Sequence, residues 1–290
     1  MNTPSARAAF THLLEGVARE NITITDLRVT PLSYALPEPE EEGPVVVWKK
    51  DEVLLELFTD QGIVGIGPGT TRPYLQEVIK PLVIGKNPFD VERLTGGERQ
   101  RDWAGVDVAC WDIIGQALGL PVYKLLATDH DPDPRVQMYA SGGVTWTYYD
   151  KGDGRPYGVD ALIDEALTYK ARGYNSFKFR TGTDWEEAGV TAKEMGDVCR
   201  KLRAAVGPDF RLMLEKKAWD IWTPEECLEI APVIEELGFF WFEQPMGEFG
   251  EAQIPDYIKL KELLPTVMLS GGENWRHRQQ AKPWMERGIV

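Results

Sequence analysis

Basic charge is the first thing this chain is short of. Its 32 Lys and Arg stand against 46 Asp and Glu, a formal net charge of −14, which leaves no electrostatic footprint for a nucleic-acid backbone or an anionic membrane surface. Cysteine is equally sparse. Cys110, Cys199 and Cys227 are far apart, lie in helical patterns beside apolar neighbours and lack metal-ligand spacing, so they read as buried thiols rather than a disulfide framework. No apolar run approaches the roughly 20 residues of a membrane span. The N-terminus also lacks a basic region followed by a long apolar stretch, and a soluble, cytoplasmic protein is expected. No Gly-x-Gly-x-x-Gly follows a strand pattern and no Walker-type Lys-Ser/Thr loop is present. Gly96-Gly97 lacks the strand context, which disfavours nucleotide binding of the common kinds.

What is present is a core. With 290 residues, 43% of them hydrophobic, the chain can bury one large domain or two smaller ones. Residues 1–20 read as an amphipathic helix or arm, with Phe10, Leu13, Leu14 and Val17 on one helical face. An α+β region over 21–130 follows. Its strand patterns at Ile22–Pro31 and Val45–Trp48 are separated by "LPEPEEEGP", expected as a solvated loop. The strands "EVLLELFTD" and "GIVGIGP" are joined by Asp60-Gln61-Gly62, a hairpin signal. Helices are expected around 72–83, 88–95 and 101–118.

Over 131–290 the pattern changes to alternation. Short apolar strands near 136–141, 175–180, 210–215, 239–243 and 266–270 alternate with helical segments near 159–172, 186–206, 224–237 and 254–264. Such alternation predicts parallel βα units, because a parallel strand needs a helical crossover. Pattern alone leaves an open sheet and a closed barrel as alternatives.

The stretch "GFFWFEQPM" stops an apolar strand abruptly in a carboxylate. Two other strands do the same: Glu215 ends "FRLMLE", and Glu273 follows "TVMLSGG". Strand C-terminal ends converge on the active-site face of parallel α/β folds, where three carboxylates would repel one another unless a cation compensated them. Oxygen-only ligation suits Mg²⁺. Carboxylates at βα junctions also serve as caps and solvated rim charges, and spacing leaves both readings open. Upstream, "FKFR" places Lys178 and Arg180 two residues apart on one strand face. A partly desolvated lysine near other cations can act as a general base, whereas the guanidinium fork suits a carboxylate or oxyanion. A surface ion-pair role remains open for the pair.

Taken in order, "VDVACWDIIGQALGLPVYKLL", "FKFRTG", "FWFEQP" and "GGEN" resemble the enolase superfamily, in its mandelate racemase and muconate-lactonising branch. The resemblance runs from about residue 22 to the last residue. It implies an N-terminal α+β capping domain over a modified TIM (β/α) barrel, here counted as cut off after about five strands. It implies Mg²⁺ held by Glu215, Glu243 and Glu273, chelation of a substrate carboxylate, and stabilisation of the enediolate formed when the α-proton leaves. Lys178 and Arg180 fall on the family's Lys-x-Lys position. Two departures stand out. The usual Asp-x-Asn of the third strand is Glu215-Lys216-Lys217, which either sets Lys217 where an amide usually meets substrate or lets an ammonium partly replace the cation. Arg180 replaces the lysine that often serves as base, which leaves Lys178 as the local base unless the base comes from the opposite face of the barrel. Gln244 is expected to orient Glu243, while His277 and Trp146 are candidate substrate contacts near the mouth. Trp103, Trp111 and Trp241 read as core, and His12 and His130 as surface.

The expected activity is therefore Mg²⁺-dependent α-proton abstraction on a small-molecule carboxylate. Dehydration of a sugar acid comes first, by a metal-dependent lyase that forms a homo-oligomer. Racemisation, epimerisation and cycloisomerisation share the first step. A non-catalytic binding protein on the same scaffold is the rival reading.

Overall fold

In the computed structural model the described residues are 14, 16–42, 45–70, 72–95, 103–127, 131–143, 148, 150, 152, 154, 157–180, 185, 188–216, 222–247, 249–276 and 278–290. Backbone packing divides the chain into two compact units: Met1–Tyr34 with Lys50–Val136, and Ala35–Lys49 with Gln137–Val290. Each has its own hydrophobic core.

A three-stranded sheet has the order β1-β2-β3, with β1 at Ile24–Glu42, β2 at Val45–Thr59 and β3 at Val64–Pro68; the first unit holds β1 up to Tyr34, β2 from Lys50 and all of β3. β2 and β3 pair antiparallel around the Asp60-Gln61-Gly62 turn, Leu57 opposite Gly65. The "LPEPEEEGP" segment departs from its expected loop. β1 runs through it to Glu42, and the separate strand expected at Val45–Trp48 is the start of one continuous β2. The reason is that β1 is an edge strand. Every second N–H of an edge points away from the ladder, so Pro31, Pro37 and Pro39, all of one parity, can sit there without removing a ladder bond.

β3 lies tight against the helix Ala104–Leu118. A Cβ on Gly65 would meet the Ala109 carbonyl and the Ile113 side chain, and one on Gly67 would meet Gly105. Strand and helix touch backbone to backbone because these positions carry no side chain. Asp112 Oδ2 accepts the Ile66 N–H at 2.9 Å, and Gln116 donates to the Val64 carbonyl at 2.9 Å, fixing the contact. The expected helix over 72–83 is present as Arg72–Tyr74, Leu75–Ile79 with π spacing, and Lys80–Val83. Leu14 is buried and Val17 packs against this core, while residues 1–13 lie outside the described residues.

The second unit carries a five-stranded all-parallel sheet in sequential order: β4 Ala140–Gly142, β5 Ser176–Phe179, β6 Arg211–Glu215, β7 Trp241–Glu243 and β8 Met268–Ser270. Between them run the helices Gly158–Ala171, Ala192–Val206, Pro224–Glu236 and Ile254–Leu263, with Arg278–Met285 last. Sequential parallel order with a helix after each strand is the βα succession of a TIM-like barrel. The helix expected from 186 begins instead at Ala192. Thr191 and Glu194 form a capping box there, the Thr191 hydroxyl accepting the Glu194 N–H while the Glu194 carboxylate takes the Thr191 N–H.

One face of this sheet is covered by helices, with Phe177, Phe179, Leu212, Leu214, Phe242 and Leu269 buried beneath them. Cys199 and Cys227 lie in this core and Cys110 in the other, all buried and free. Burial pushes the Cys199 and Cys227 thiols up to about 12. At the strand N-terminal ends the units are pinned by a repeated device. Lys170, in the last turn of its helix, donates to the Val206 carbonyl at 2.7 Å. Arg203 donates to the carbonyls of Leu237 and Gly238 one unit on, and to those of Gly207 and Phe210. Glu235 accepts from Thr266 and Val267. In each case the end of one helix holds the end of the following helix or the turn that runs from it into the sheet.

Candidate metal and catalytic site

Strand register assembles the site. Glu215 pairs directly with Glu243 across β6 and β7, one level above Met213 opposite Trp241. Residues two apart share a face, so Trp241 and Glu243 both leave the side opposite the buried Phe242. That alternation is the physical content of "FWFE": Phe242 goes to the helices, Trp241 and Glu243 to the interior. Lys178 is level with Met213, and Arg180 lies one residue past the Phe179–Leu214 pair, on the same face as Lys178. Glu273 follows β8 by three residues.

Carboxylate oxygens of Glu215, Glu243 and Glu273 all lie within 4.8 Å of one another. Glu215 is buried, Glu243 half-buried and Glu273 exposed. Lys178 Nζ sits 2.5 Å from Glu215 Oε2 and 3.3 Å from Glu243 Oε2. Arg180 Nη1 is 3.2 Å from Glu215 Oε1. Three carboxylates thus face two cations. Burial raises the Glu243 carboxyl above its ordinary value; the Glu215 charge adds to this, while Lys178 and the Trp241 N–H oppose it. For Lys178, burial is the largest influence and favours the neutral amine. The hydrogen bond to Glu215 and the charges of Glu215 and Glu243 together outweigh it, so its pKa is raised. This corrects the expected depression by neighbouring cations: the nearest charges to Lys178 are carboxylates.

The donor set fits a hard divalent cation. All three groups offer oxygen, and the oxygens around one Mg²⁺ or Ca²⁺ ion stand no more than roughly 4–5 Å apart, a limit the three carboxylates meet by lying within 4.8 Å of one another. Glu273 takes its place through two glycines. A Cβ on Gly271 would meet the Phe249 ring, and one on Gly272, at φ +92°, would meet the Trp275 ring. Phe249 in turn packs on Tyr257 and Trp284, with ring centroids 4.4 and 4.5 Å away. An aromatic block thereby holds the loop that presents the third carboxylate.

Other expected residues fare differently. Gln244 is buried, and its φ of +46° marks the sharp exit from β7. Its N–H bonds the Ser270 carbonyl at 2.9 Å and its own carbonyl accepts from Gly247. The side-chain bond to Glu243 expected of Gln244 is not found among the described residues. Trp241 fills that role, its indole Nε1 donating to Glu243 Oε2 at 3.1 Å. Trp241 was expected in the core; it is half-buried, because its place in the period-two alternation outweighs its bulk. Its ring meets Tyr139 edge-on at 5.3 Å, and the Lys178 ammonium lies 5.9 Å from the centre of the Tyr139 ring. Tyr139 was not anticipated as a site residue. The Lys216 ammonium lies over the Trp222 ring, 4.4 Å from its centre. Trp146, Lys217 and His277 lie outside the described residues, as do His12 and His130.

Among the described residues no helix is long and apolar enough to cross a membrane. Residues 161–290 match the family described as enolase C-terminal domain-like, and residues 43–127 match the mandelate racemase / muconate lactonizing enzyme N-terminal domain. The chain is 26% identical over 283 residues to D-galactarolactone cycloisomerase of Agrobacterium fabrum, covering 92% of this chain and 69% of that enzyme. Arabinonate dehydratase of Saccharolobus solfataricus is 26% identical over 246 residues, 77% of this chain and 61% of that one. The crystal structure of an enolase-superfamily member from Polaromonas sp. JS666 superposes with a TM-score of 0.69 at 25% identity, over 92% of this chain and 70% of that chain. The chain thus spans 61% to 70% of the length of these three relatives. Both halves of the sequence and the parallel βα sheet agree: the chain belongs to the enolase superfamily, in its mandelate racemase and muconate-lactonizing branch.

Proposed function

We propose that this chain carries the Mg²⁺-dependent site of an enzyme that removes the proton α to a substrate carboxylate, most plainly in the dehydration of a sugar acid. The observation that carries the reading is the convergence of Glu215, Glu243 and Glu273 oxygens within 4.8 Å, with Lys178 and Arg180 in contact with them. Bound there, Mg²⁺ would neutralise charge developing on the substrate carboxylate and offset the glutamates that keep Lys178 protonated. Lys178 takes the α-proton at Nζ. Arg180, with its planar guanidinium fork, binds an oxyanion or the carboxylate of the acid. The resulting anion then forms a carbon–carbon double bond as the β-hydroxyl departs as water with the proton Lys178 has taken, which completes a dehydration, the reaction named for the arabinonate dehydratase relative.

A second reading, cycloisomerisation, rests on the 26% identity to D-galactarolactone cycloisomerase across 92% of this chain. Both begin with the same proton. The test is α-proton exchange in D₂O followed by NMR, across a panel of sugar acids and lactones with and without Mg²⁺. The expected result is metal-dependent exchange abolished in K178A and E243Q, with the productive substrate separating dehydration from cycloisomerisation. A folded, metal-binding protein that exchanges nothing across the panel would refute the catalytic reading and leave a binding protein on this scaffold.

A further inference from the structure

Glu243 has two oxygens, and they are not equivalent. Oε2 accepts the Trp241 indole N–H at 3.1 Å and lies 3.3 Å from Lys178 Nζ. Oε1 has the longer Lys178 contact, 3.4 Å. The indole cannot readily swing away, because Tyr139 meets it edge-on at 5.3 Å and Phe240 packs beside it at 5.5 Å. A carboxylate with one oxygen tied to a fixed N–H offers a cation its other oxygen and resists turning both toward it. One-oxygen ligation suits a small octahedral ion; a larger, more weakly ordered ion gains from two-oxygen ligation and a higher coordination number.

We infer that Trp241 is a positioning residue that holds Glu243 to single-oxygen ligation and so biases the site toward Mg²⁺ over Ca²⁺. The inference rests on the metal reading proposed above and deepens it. Partners behind a metal ligand typically govern 10–100-fold in affinity, and the Trp241 bond is of the charge-assisted kind. Phe retains the ring and removes only the donor.

The experiment is calorimetric titration of the wild type and W241F with Mg²⁺ and separately with Ca²⁺. W241F should bind Mg²⁺ about tenfold more weakly while Ca²⁺ binding holds or tightens, so the Mg²⁺/Ca²⁺ preference falls. An unchanged preference, with Mg²⁺ still bound, overturns the role of Trp241 and leaves the metal site standing. A wild-type protein that takes up neither ion overturns both. Should W241F fail to fold, indole ¹H–¹⁵N NMR of the wild type carries the same test. One indole signal should move saturably with Mg²⁺ and differently with Ca²⁺; metal binding that moves no indole signal refutes the inference.

Discussion

Replacing Gly271 by Ala tests how the third carboxylate is held. A Cβ built there would lie 2.6 Å from Phe249 Cδ2 and 2.7 Å from Cζ, with another ring atom closer still. Ordinary carbon contacts stand at about 3.5–4.0 Å, so ring or loop must retreat by about 1 Å. The ring has nowhere to go, since Phe249 is 5% exposed and backed by Tyr257 and Trp284. Overpacking of this kind costs about 1–3 kcal/mol, a loss of about 3–10 °C in melting temperature for a domain of this size. If the loop yields instead of the ring, Glu273 moves with it and Mg²⁺ affinity falls by about tenfold or more. Thermal melting by circular dichroism and Mg²⁺ titration report the two outcomes separately. G62A provides the comparison: Gly62 has φ +78° and nothing within 4 Å of the added carbon. Its cost is therefore backbone strain alone, about 1–2 kcal/mol, with metal binding untouched. Wild-type melting and wild-type metal affinity in G271A would refute the account of how Glu273 is placed.

Two further outcomes follow from the charges. In K178M the buried Glu215 and half-buried Glu243 lose their shared ammonium, a change that costs about 3–5 kcal/mol where a buried pair is broken; added Mg²⁺ should restore part of it in a melting assay. Because the Lys178 pKa is raised above 10.5, its contribution is fully present below that pH and is lost as pH climbs through the higher folded value. The stability gap between wild type and K178M should therefore be constant through neutral pH and close only in that alkaline range. R203K keeps one cation but cannot span the carbonyls of Gly207, Phe210, Leu237 and Gly238, and should lose about 2–4 kcal/mol in chemical denaturation at hydrogen bonds of about 1 kcal/mol or more each, with Mg²⁺ affinity retained.

Much of the architecture was legible because parallel βα units write themselves as apolar strand, polar break and amphipathic helix. The recurrence of Glu215, Glu243 and Glu273 at strand ends carried the acidic cluster the same way, since strand register converts repeat spacing into proximity. What failed failed for local reasons. "LPEPEEEGP" reads as a loop by turn chemistry, yet proline parity lets an edge strand absorb it. The run Phe239-Phe240-Trp241-Phe242 reads as uniformly buried, although counting back two from Glu243 would have placed Trp241 on the site face. Tyr139 falls inside the strand expected over 136–141, but that strand begins only at Ala140, so Tyr139 precedes it in a stretch without regular structure, and the fold brings its ring to Trp241 and Lys178. The helix beginning at Ala192 was announced by Thr-x-x-Glu at 191–194, a capping signal overshadowed by the acidic residues before it.

The last-turn side chains Lys170, Arg203 and Glu235 have a consequence for how such a protein can change. Each fastens its neighbour at the end of the sheet away from the carboxylates, so the mechanical order of the βα units is settled before any chemistry is specified. The loops at the opposite end are relieved of that duty. New substrate contacts can be tried there, one loop at a time, on a frame whose spacing they do not set.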